Sequence, residues 1–239
     1  MQTQRLPGAV HDFQHNTRDK WLQVRIQRPA EAEPAGSLHE GDIFVYNTNI
    51  FPLHDFILNR FKDSVPGKEL FYHGTTRDSA ISIIERGIDV TMSKRPVDFS
   101  YGKGFYVTDN YGKAVEWSQR KGEFDGSKPA IIVFKIDSNN RRHETHLSLN
   151  VDNVTNRKFW ECVVSHFRHK ETSPDIARIL RDVKYIEGPV SINTSLEEEE
   201  IPTPSEFGRF RQLCICNQGY AKSFGSLANI MCVIFIVDS

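Results

Sequence analysis

Residues 98–119 read DFSYGKGFYVTDNYGKAVEWSQ, a stretch in which a short strand leads into a helix. The segment GFYVT is rich in aromatic and β-branched residues, which favour a strand. The segment NYGKAVEWSQ is predicted to be a helix, with Asp109 as the residue that caps its N-terminus. Three glycines within eleven residues indicate a backbone that turns sharply or lets another group come close.

The segments on either side continue this alternation of strands and helices. Strands are predicted in ELFYHGT, VKYIEGPV, RQLCICN and IMCVIFIVD, and in AIIVFKI as a buried central strand. Helices are predicted in RDSAISIIERG and in RKFWECVVSHFRHK, an amphipathic segment. The residues on its apolar face are Phe159, Trp160, Val163, Val164 and Phe167. Because the later connections are long and irregular, the pattern predicts a mixed α+β fold rather than a regular doubly wound sheet.

The N-terminal part of the chain differs in composition from the rest. Residues 1–40 are polar and contain several prolines, which indicates a flexible arm or an irregular wrap. Residues 42–61 are predicted to form a strand followed by a short helix. We therefore divide the chain into an N-terminal extension, residues 1–62, which is partly irregular, and a main domain, residues 63–239.

Composition limits the classes of partner. The 239-residue chain is 38% apolar and 26% charged, which is typical of a globular protein, and its formal net charge is −1. That charge gives no global basic field to attract nucleic acid or an anionic membrane. The segment MQTQRLPGAVHDFQHN lacks the apolar core of a secretory signal, and no stretch reaches the roughly 20 apolar residues of a membrane span. We expect an intracellular protein, cytoplasmic or nuclear, without a membrane partner.

Cysteines and histidines are not spaced as metal ligands. The four cysteines lack a C-x-x-C pattern and are expected to be reduced, buried thiols. They are Cys162, Cys214, Cys216 and Cys232. The histidines between residues 143 and 169 fit no zinc spacing. We therefore predict no metal.

Two groups of residues are candidates for chemistry. In FYHGTT, residues 71–76, His73, Gly74 and Thr75 would offer an imidazole, a bare backbone and a hydroxyl at a strand end. The alternative is a structural histidine followed by a turn glycine. Tyr106 in the strand and Trp117 in the next helix could hold a flat ring between them. The alternative is that both rings pack in the core.

Taken together, these elements resemble a known family. The segment YHGT, the segment GKGFY with its tyrosine 33 residues after His73, and an aromatic residue eleven positions further are similar to the ADP-ribosyltransferase superfamily. The resemblance is to the His–Tyr–Glu branch, which contains poly(ADP-ribose) polymerases and diphtheria-type toxins. Within it, the chain is most similar to small, poorly characterised microbial domains with DFGKGFY-type segments, from which DFSYGKGFY departs by a two-residue insertion. The resemblance covers roughly residues 68–225.

The resemblance implies a fold and a set of roles. The expected fold is a split, two-sheet α+β core with NAD bound in the cleft between the sheets, and the main domain would be catalytic. His73 would bind the adenosine-side ribose, with Thr75 nearby, and the Gly74 backbone would hold the nicotinamide carboxamide. Tyr106 and Trp117 would sandwich the nicotinamide ring. Lys113 matches a lysine that lies near the catalytic acid in this branch.

The third element of the signature differs from a glutamate. The matching segment FRQLCICNQGYAKSF has Gln212 at the position of the family's glutamate, as the small microbial domains also have. Its amide oxygen can accept a hydrogen bond from the ribose 2′-hydroxyl, but it carries no charge to stabilise an oxocarbenium ion. This disfavours chain elongation, which needs a carboxylate base. Glu206 or the run 197–200 could supply an acid, although such a run is more typical of a solvated loop.

The predicted function is an NAD-dependent mono-ADP-ribosyltransferase that consumes NAD as a co-substrate and uses no metal. The acceptor would be a macromolecule, with protein favoured over nucleic acid because the chain is near neutral. An NAD glycohydrolase, with water as the acceptor, is the first alternative. A non-catalytic domain that binds NAD, ADP-ribose or a protein is the alternative of another class.

Overall fold

The computed structural model describes residues 20–29, 38–92, 97–169, 173–192, 201–205 and 211–237. The chain forms two compact units. Unit 1 lies within residues 1–87, 110–138 and 224–239, and unit 2 lies within residues 88–109 and 139–223. In chain order the strands and helices are β1 (Trp21–Pro29), β2 (Leu38–Thr48), α1 (His54–Phe61), β3 (Lys68–Thr76), α2 (Arg77–Arg86), β4 (Phe105–Thr108), α3 (Tyr111–Asp125), β5 (Pro129–Asp137), α4 (Ser138–His143), β6 (His146–Ser148), α5 (Val154–Arg168), α6 (Pro174–Leu180), β7 (Tyr185–Gly188), β8 (Gln212–Ile215), α7 (Gln218–Phe224) and β9 (Ile230–Ile236).

Unit 1 contains a mixed sheet with the strand order β1-β2-β9-β5-β3. The β2–β9 pair is parallel, and the other pairs are antiparallel. Strand β5 lies between β9 and β3, and its residues from Ala130 to Phe134 are fully buried, which confirms the predicted central strand. The predicted strand β9 and the strand–helix pair β2 and α1 are confirmed as well.

The expectation of an irregular segment over residues 1–40 is wrong for β1. Its residues pair with β2 from Trp21↔Tyr46 to Pro29↔Leu38. The short apolar alternation of Val24 and Ile26 gives a weak signal in the sequence, and the strand is stabilised by its pairing with β2. The boundary after residue 62 remains a prediction.

The core of unit 1 is formed by β3, β5 and β9 together with α1 and α3. Its buried residues include Tyr72, Ile131, Val133, Met231 and Ile234 from the strands and Ile57, Phe61, Tyr111 and Ala114 from the helices. Helix α2, whose segment is predicted to be a helix, buries Ala80, Ile81 and Ile84 along one side.

In unit 2 the strands of the mixed sheet follow the order β4-β8-β7-β6. The β6–β7 pair is parallel, and the other two pairs are antiparallel. Helix α5 buries Trp160, Val163, Val164 and Phe167 in the core of this unit, as predicted, while Phe159 is half-buried. The predicted α+β class is confirmed.

Two local predictions are wrong. Helix α3 is capped by Asn110, whose side chain accepts a hydrogen bond from Lys113 N at 2.9 Å, because the helix begins one residue later than predicted. Asp109 instead accepts a hydrogen bond from Arg211 N at 2.8 Å. Among the cysteines, Cys214 and Cys232 are buried and Cys216 is half-buried, but Cys162 is exposed because its position lies outside the apolar face of α5.

Two features are absent from the part of the chain that the structure describes. In that part, no helix combines the length and the apolar character needed to cross a membrane. In the same residues, no three or more His, Cys, Asp and Glu side chains are grouped so that they could hold a metal ion.

Candidate functional site

The seven predicted site residues are divided between the two units. Strand β3 and helix α3 of unit 1 carry five of them, and strands β4 and β8 of unit 2 carry two. In unit 1 they are His73, Gly74, Thr75, Lys113 and Trp117, and in unit 2 they are Tyr106 and Gln212.

Gly74 lies where strand β3 and helix α3 make their closest approach. A Cβ atom at this position would lie 2.0 Å from the backbone oxygen of Ala114 and 3.0 Å from the backbone nitrogen of Ser118. The helix presents small residues to the strand here, since Ala114, Ser118 and Gly122 are among its buried positions. The glycine is therefore required by helix–strand packing, whether or not a ligand also contacts its backbone.

The residues of β3 alternate between the two faces of the sheet. Tyr72 and Gly74 face α3, because Tyr72 packs against Tyr111 of that helix with the ring centroids 5.5 Å apart. His73 and Thr75 therefore face the opposite side, where both are buried. The His73 imidazole and helix α3 thus lie on opposite faces of β3.

Trp117 and Lys113 lie beside the row of α3 residues that contacts β3. They are four residues apart, each one position before a buried contact residue of the helix. Trp117 is half-buried and makes no hydrogen bond or ring contact with any residue that the structure describes. Lys113 forms an ion pair with Glu116 at 2.7 Å. The half-buried indole of Trp117 can therefore stack with a planar group.

Tyr106 and Gln212 lie on one face of the β4–β8 pair. In this antiparallel ladder Tyr106 is opposite Cys214, and Thr108 is opposite Gln212. Residues that are opposite each other, or two apart on one strand, share a face of the sheet. The structure therefore brings together these two predicted residues, which are 106 positions apart in the chain.

The Tyr106 hydroxyl is bonded to the segment that precedes β4. It donates to Ser100 Oγ at 3.0 Å and accepts from Phe99 N at 3.1 Å. Burial of the hydroxyl raises the pKa of Tyr106 well above its ordinary value, so the phenol is neutral at physiological pH. Gly104 adjoins the same place, because a Cβ there would lie 2.6 Å from Cys214 Sγ.

Gln212 is held by a buried carboxylate of the same segment. Its side-chain Nε2 donates to Asp98 Oδ2 at 3.0 Å, and only 4% of Gln212 and 5% of Asp98 are exposed. Asp98 also accepts from Arg168 Nε at 2.9 Å and Nη2 at 2.6 Å through Oδ1, and from Ser191 N at 2.7 Å through Oδ2. Each of these partners is an N–H donor.

Sequence reasoning missed Asp98 and Arg168. Asp98 begins the glycine-containing segment, but its partners Arg168 and Gln212 lie 70 and 114 positions away. No local pattern links such residues; only the strand pairing and the position of α5 bring them together.

The other acidic residues that bear on Gln212 are the predicted Glu206 and run 197–200, together with Glu187. Glu206 and the run 197–200 lie outside the described residues. Glu187, on the neighbouring strand β7, is opposite Leu213 and therefore on the other face of the sheet from Gln212. It pairs with Arg141 at 2.9 Å, in the interior of the unit. On the Gln212 side, the carboxylate that contacts the amide is that of Asp98.

Unit 2 also contains an apolar cavity of about 290 Å³. Residues of α5 and α6 line it together with the segment 99–103, and none of the seven predicted site residues is among them. Its wall includes Phe99, Tyr101, His166, Phe167, Leu180 and Ile186.

Comparison with known proteins places the chain in a protein family. A family model described as Protein of unknown function (DUF3990) matches residues 70–195, just over half of the chain. The matched region contains six of the seven predicted site residues and ends before Gln212. No curated protein matches the chain.

Proposed function

The chain belongs to the DUF3990 family, and we propose that it is an NAD-dependent mono-ADP-ribosyltransferase with an ADP-ribosyltransferase-like α+β core. The proposal begins from the resemblance of YHGT and GKGFY and from the spacing to Trp117. The acceptor would be a macromolecule, with protein favoured.

The observation that carries the proposal is the position of Tyr106 and Gln212 on one face of the β4–β8 pair. Their polar ends are both anchored on the segment 98–100, which fixes the tyrosine ring and the amide. A site that distorts and orients a sugar–nicotinamide bond needs such fixed groups, because loosely held ones lose the entropic advantage.

Unit 1 supports the proposal through Trp117 and β3. A half-buried indole without a ring contact among the described residues is suited to stacking on nicotinamide. His73 faces the other side of β3, which fits a role at the distant adenosine ribose rather than at the ring. Thr75 shares the face of His73 and would bind the same part of NAD, while the Gly74 backbone would bind the carboxamide.

The reaction would break the bond between ribose C1′ and the nicotinamide nitrogen. The bonding electrons go to the nitrogen, so the positively charged ring leaves as neutral nicotinamide and needs no acid. Gln212 would accept a hydrogen bond from the ribose 2′-hydroxyl as positive charge develops at C1′. A lone pair of the acceptor then forms the new bond to C1′, and its proton passes to water. With water as the acceptor the same steps give a glycohydrolase.

A non-catalytic NAD- or ADP-ribose-binding domain is the second candidate. It is favoured by the neutral Gln212 at the position where the resembling His–Tyr–Glu branch has a glutamate. An amide stabilises an oxocarbenium ion less than a carboxylate does. Binding without turnover would therefore retain the Trp117 and His73 contacts and lose only the chemical step.

The test is release of nicotinamide from NAD by the full chain, with and without cell lysate. Wild type is compared with Gln212→Ala and Trp117→Ala, with Gln119→Ala and Phe124→Ala as controls because both lie exposed on α3. NAD binding is measured in parallel by calorimetry. We expect each site variant to lose at least about tenfold in rate, which corresponds to about one lost hydrogen bond or ring contact, and the controls to match wild type.

The outcomes separate the candidates. If release depends on lysate, and ADP-ribose from labelled NAD is transferred to macromolecules, the transferase is supported. Release without lysate supports the glycohydrolase. Binding without release supports the non-catalytic domain. Absence of both binding and release contradicts the proposal.

A further inference from the structure

We propose that Asp98 is a positioning residue, which fixes the orientation of the Gln212 amide and makes position 212 suited to glutamine rather than glutamate. Its consequence for NAD rests on the proposed function. The contact between the two side chains does not, because it is a property of unit 2 alone.

The orientation of the amide follows from the chemistry of its partner. A carboxylate that is bonded to Arg168 and to Ser191 N is an acceptor, so the Gln212 group that faces it must be the donor, Nε2. The carbonyl oxygen of Gln212 then points away from Asp98. Were the amide reversed, two oxygen atoms would face each other about 3 Å apart without a proton between them.

The orientation decides what Gln212 can do with a sugar hydroxyl. With its Nε2 engaged by Asp98, the side chain presents a hydrogen-bond acceptor, which is what a ribose 2′-hydroxyl donates to. The hydrogen bond to Asp98 also polarises the amide, which makes the carbonyl oxygen a better acceptor. The negative charge that a glutamate would supply directly is thus present one hydrogen bond behind Gln212.

The same contact explains why glutamate does not suit this position. A carboxylate at position 212 would lie against the buried carboxylate of Asp98, and two like charges in one buried site oppose each other. Arg168 offers one positive charge, and it is already bonded to Asp98 Oδ1. Gln212→Glu therefore does not restore the acid of the resembling family.

The test is a double-mutant cycle on the full chain with Asp98→Asn, Gln212→Glu and the double variant, and with Asp175→Asn as a control. Asp175 also pairs with an arginine, Arg178, but both side chains are exposed. Urea midpoints at pH 7 and the kcat and KM for NAD cleavage are measured for each protein. The stability cycle needs no NAD, so it judges the contact even if the proposed function fails.

We expect the effects of the two single substitutions to be strongly non-additive. Asp98→Asn allows the Gln212 amide to turn over, so that a donor faces the sugar, and kcat falls about tenfold or more with a smaller change in KM. Gln212→Glu lowers the urea midpoint, and the double variant recovers part of that loss and cleaves NAD faster than Gln212→Glu. The control matches wild type.

Additive changes in the urea midpoint at pH 7 would overturn the proposal, as would equal kcat values for wild type and Asp98→Asn. If Asp98→Asn does not fold, Gln212→Met replaces it in the comparison. This variant removes the amide without adding a charge, so we expect Gln212→Glu to be less stable than Gln212→Met. Equal midpoints for these two would also overturn the proposal.

Discussion

Gly74→Ala tests whether the glycine of the YHGT segment is required by packing. The added Cβ would lie 2.0 Å from the Ala114 oxygen, about 1.4 Å inside the closest ordinary contact. The obstacle is helix backbone, which cannot rotate aside as a side chain can. Helix α3 would have to move away from β3 by more than 1 Å along much of its buried face, or the strand would have to distort.

Overpacking of this kind costs about 1–3 kcal/mol, and a backbone clash falls at the upper end, so we expect a loss of about 3 kcal/mol. For a chain of this size that corresponds to a fall in Tm of roughly 6–12 °C. The assay is urea unfolding followed by far-UV circular dichroism, with a thermal scan as a second measure. Gly112→Ala is the control, because Gly112 is exposed on the same helix and should change stability by about 1 kcal/mol or less.

A stability of Gly74→Ala within about 1 kcal/mol of wild type would refute the packing explanation. It would mean that α3 does not lie against β3 as described, and that the glycine is present for a ligand alone. A large loss of stability, by contrast, means that loss of NAD binding in this variant says nothing about a contact with the Gly74 backbone.

Further predictions concern other parts of the chain. Arg28 donates to three backbone carbonyls, so Arg28→Met should cost about 2–4 kcal/mol in urea unfolding. Arg25→Met on the same strand removes an exposed ion pair with Asp42 and should leave the urea midpoint close to that of wild type. Burial lowers the pKa of His54 in the folded chain, so the unfolded chain binds a proton first as the pH falls. Stability should therefore fall as the pH drops through about 6.5, the ordinary value for histidine. His54→Gln should make stability depend less on pH in this range, and an unchanged dependence would contradict the prediction. With iodoacetamide at pH 8, exposed Cys162 should be alkylated in the native protein and Cys232 only in urea, because burial raises the pKa of the Cys232 thiol; peptide mass spectrometry detects both.

The elements that could be predicted from the sequence are those whose own pattern is strong. Helix α5 has an apolar stripe over fifteen residues, and β5 and β9 are almost continuously apolar, so each carries its signal locally. Strand β1 carries little of its own signal, because only Val24 and Ile26 mark its buried face. It depends on β2 for its partner, and such pairing is not visible in the strand itself.

The candidate site also has a part that the sequence predicts and a part that it does not. Its motif residues lie in short segments, and their types indicate chemistry directly. The contact between Asp98 and Gln212 joins residues 114 positions apart, and it depends on where α5 places Arg168 and where β8 places the amide. Neither side chain is unusual in the sequence, so only the folded chain identifies the pair.

The residues of the motif differ in how far the fold alone explains them. Gly74 is explained by the approach of α3, and Tyr106 by the hydrogen bonds of its hydroxyl to the segment before β4. Trp160 is equally well explained, since it is fully buried and its indole N–H donates to Pro189 O at 3.0 Å. Trp117 has no such explanation among the described residues, because its half-buried indole makes no ring contact or hydrogen bond there. Within the described part of the chain, Trp117 thus makes no specific contact that accounts for an indole at this position, so it carries the most weight for a ligand. Trp117→Ala should therefore leave the urea midpoint nearly unchanged while NAD binding is lost. A large fall in stability would instead mean that the fold requires Trp117.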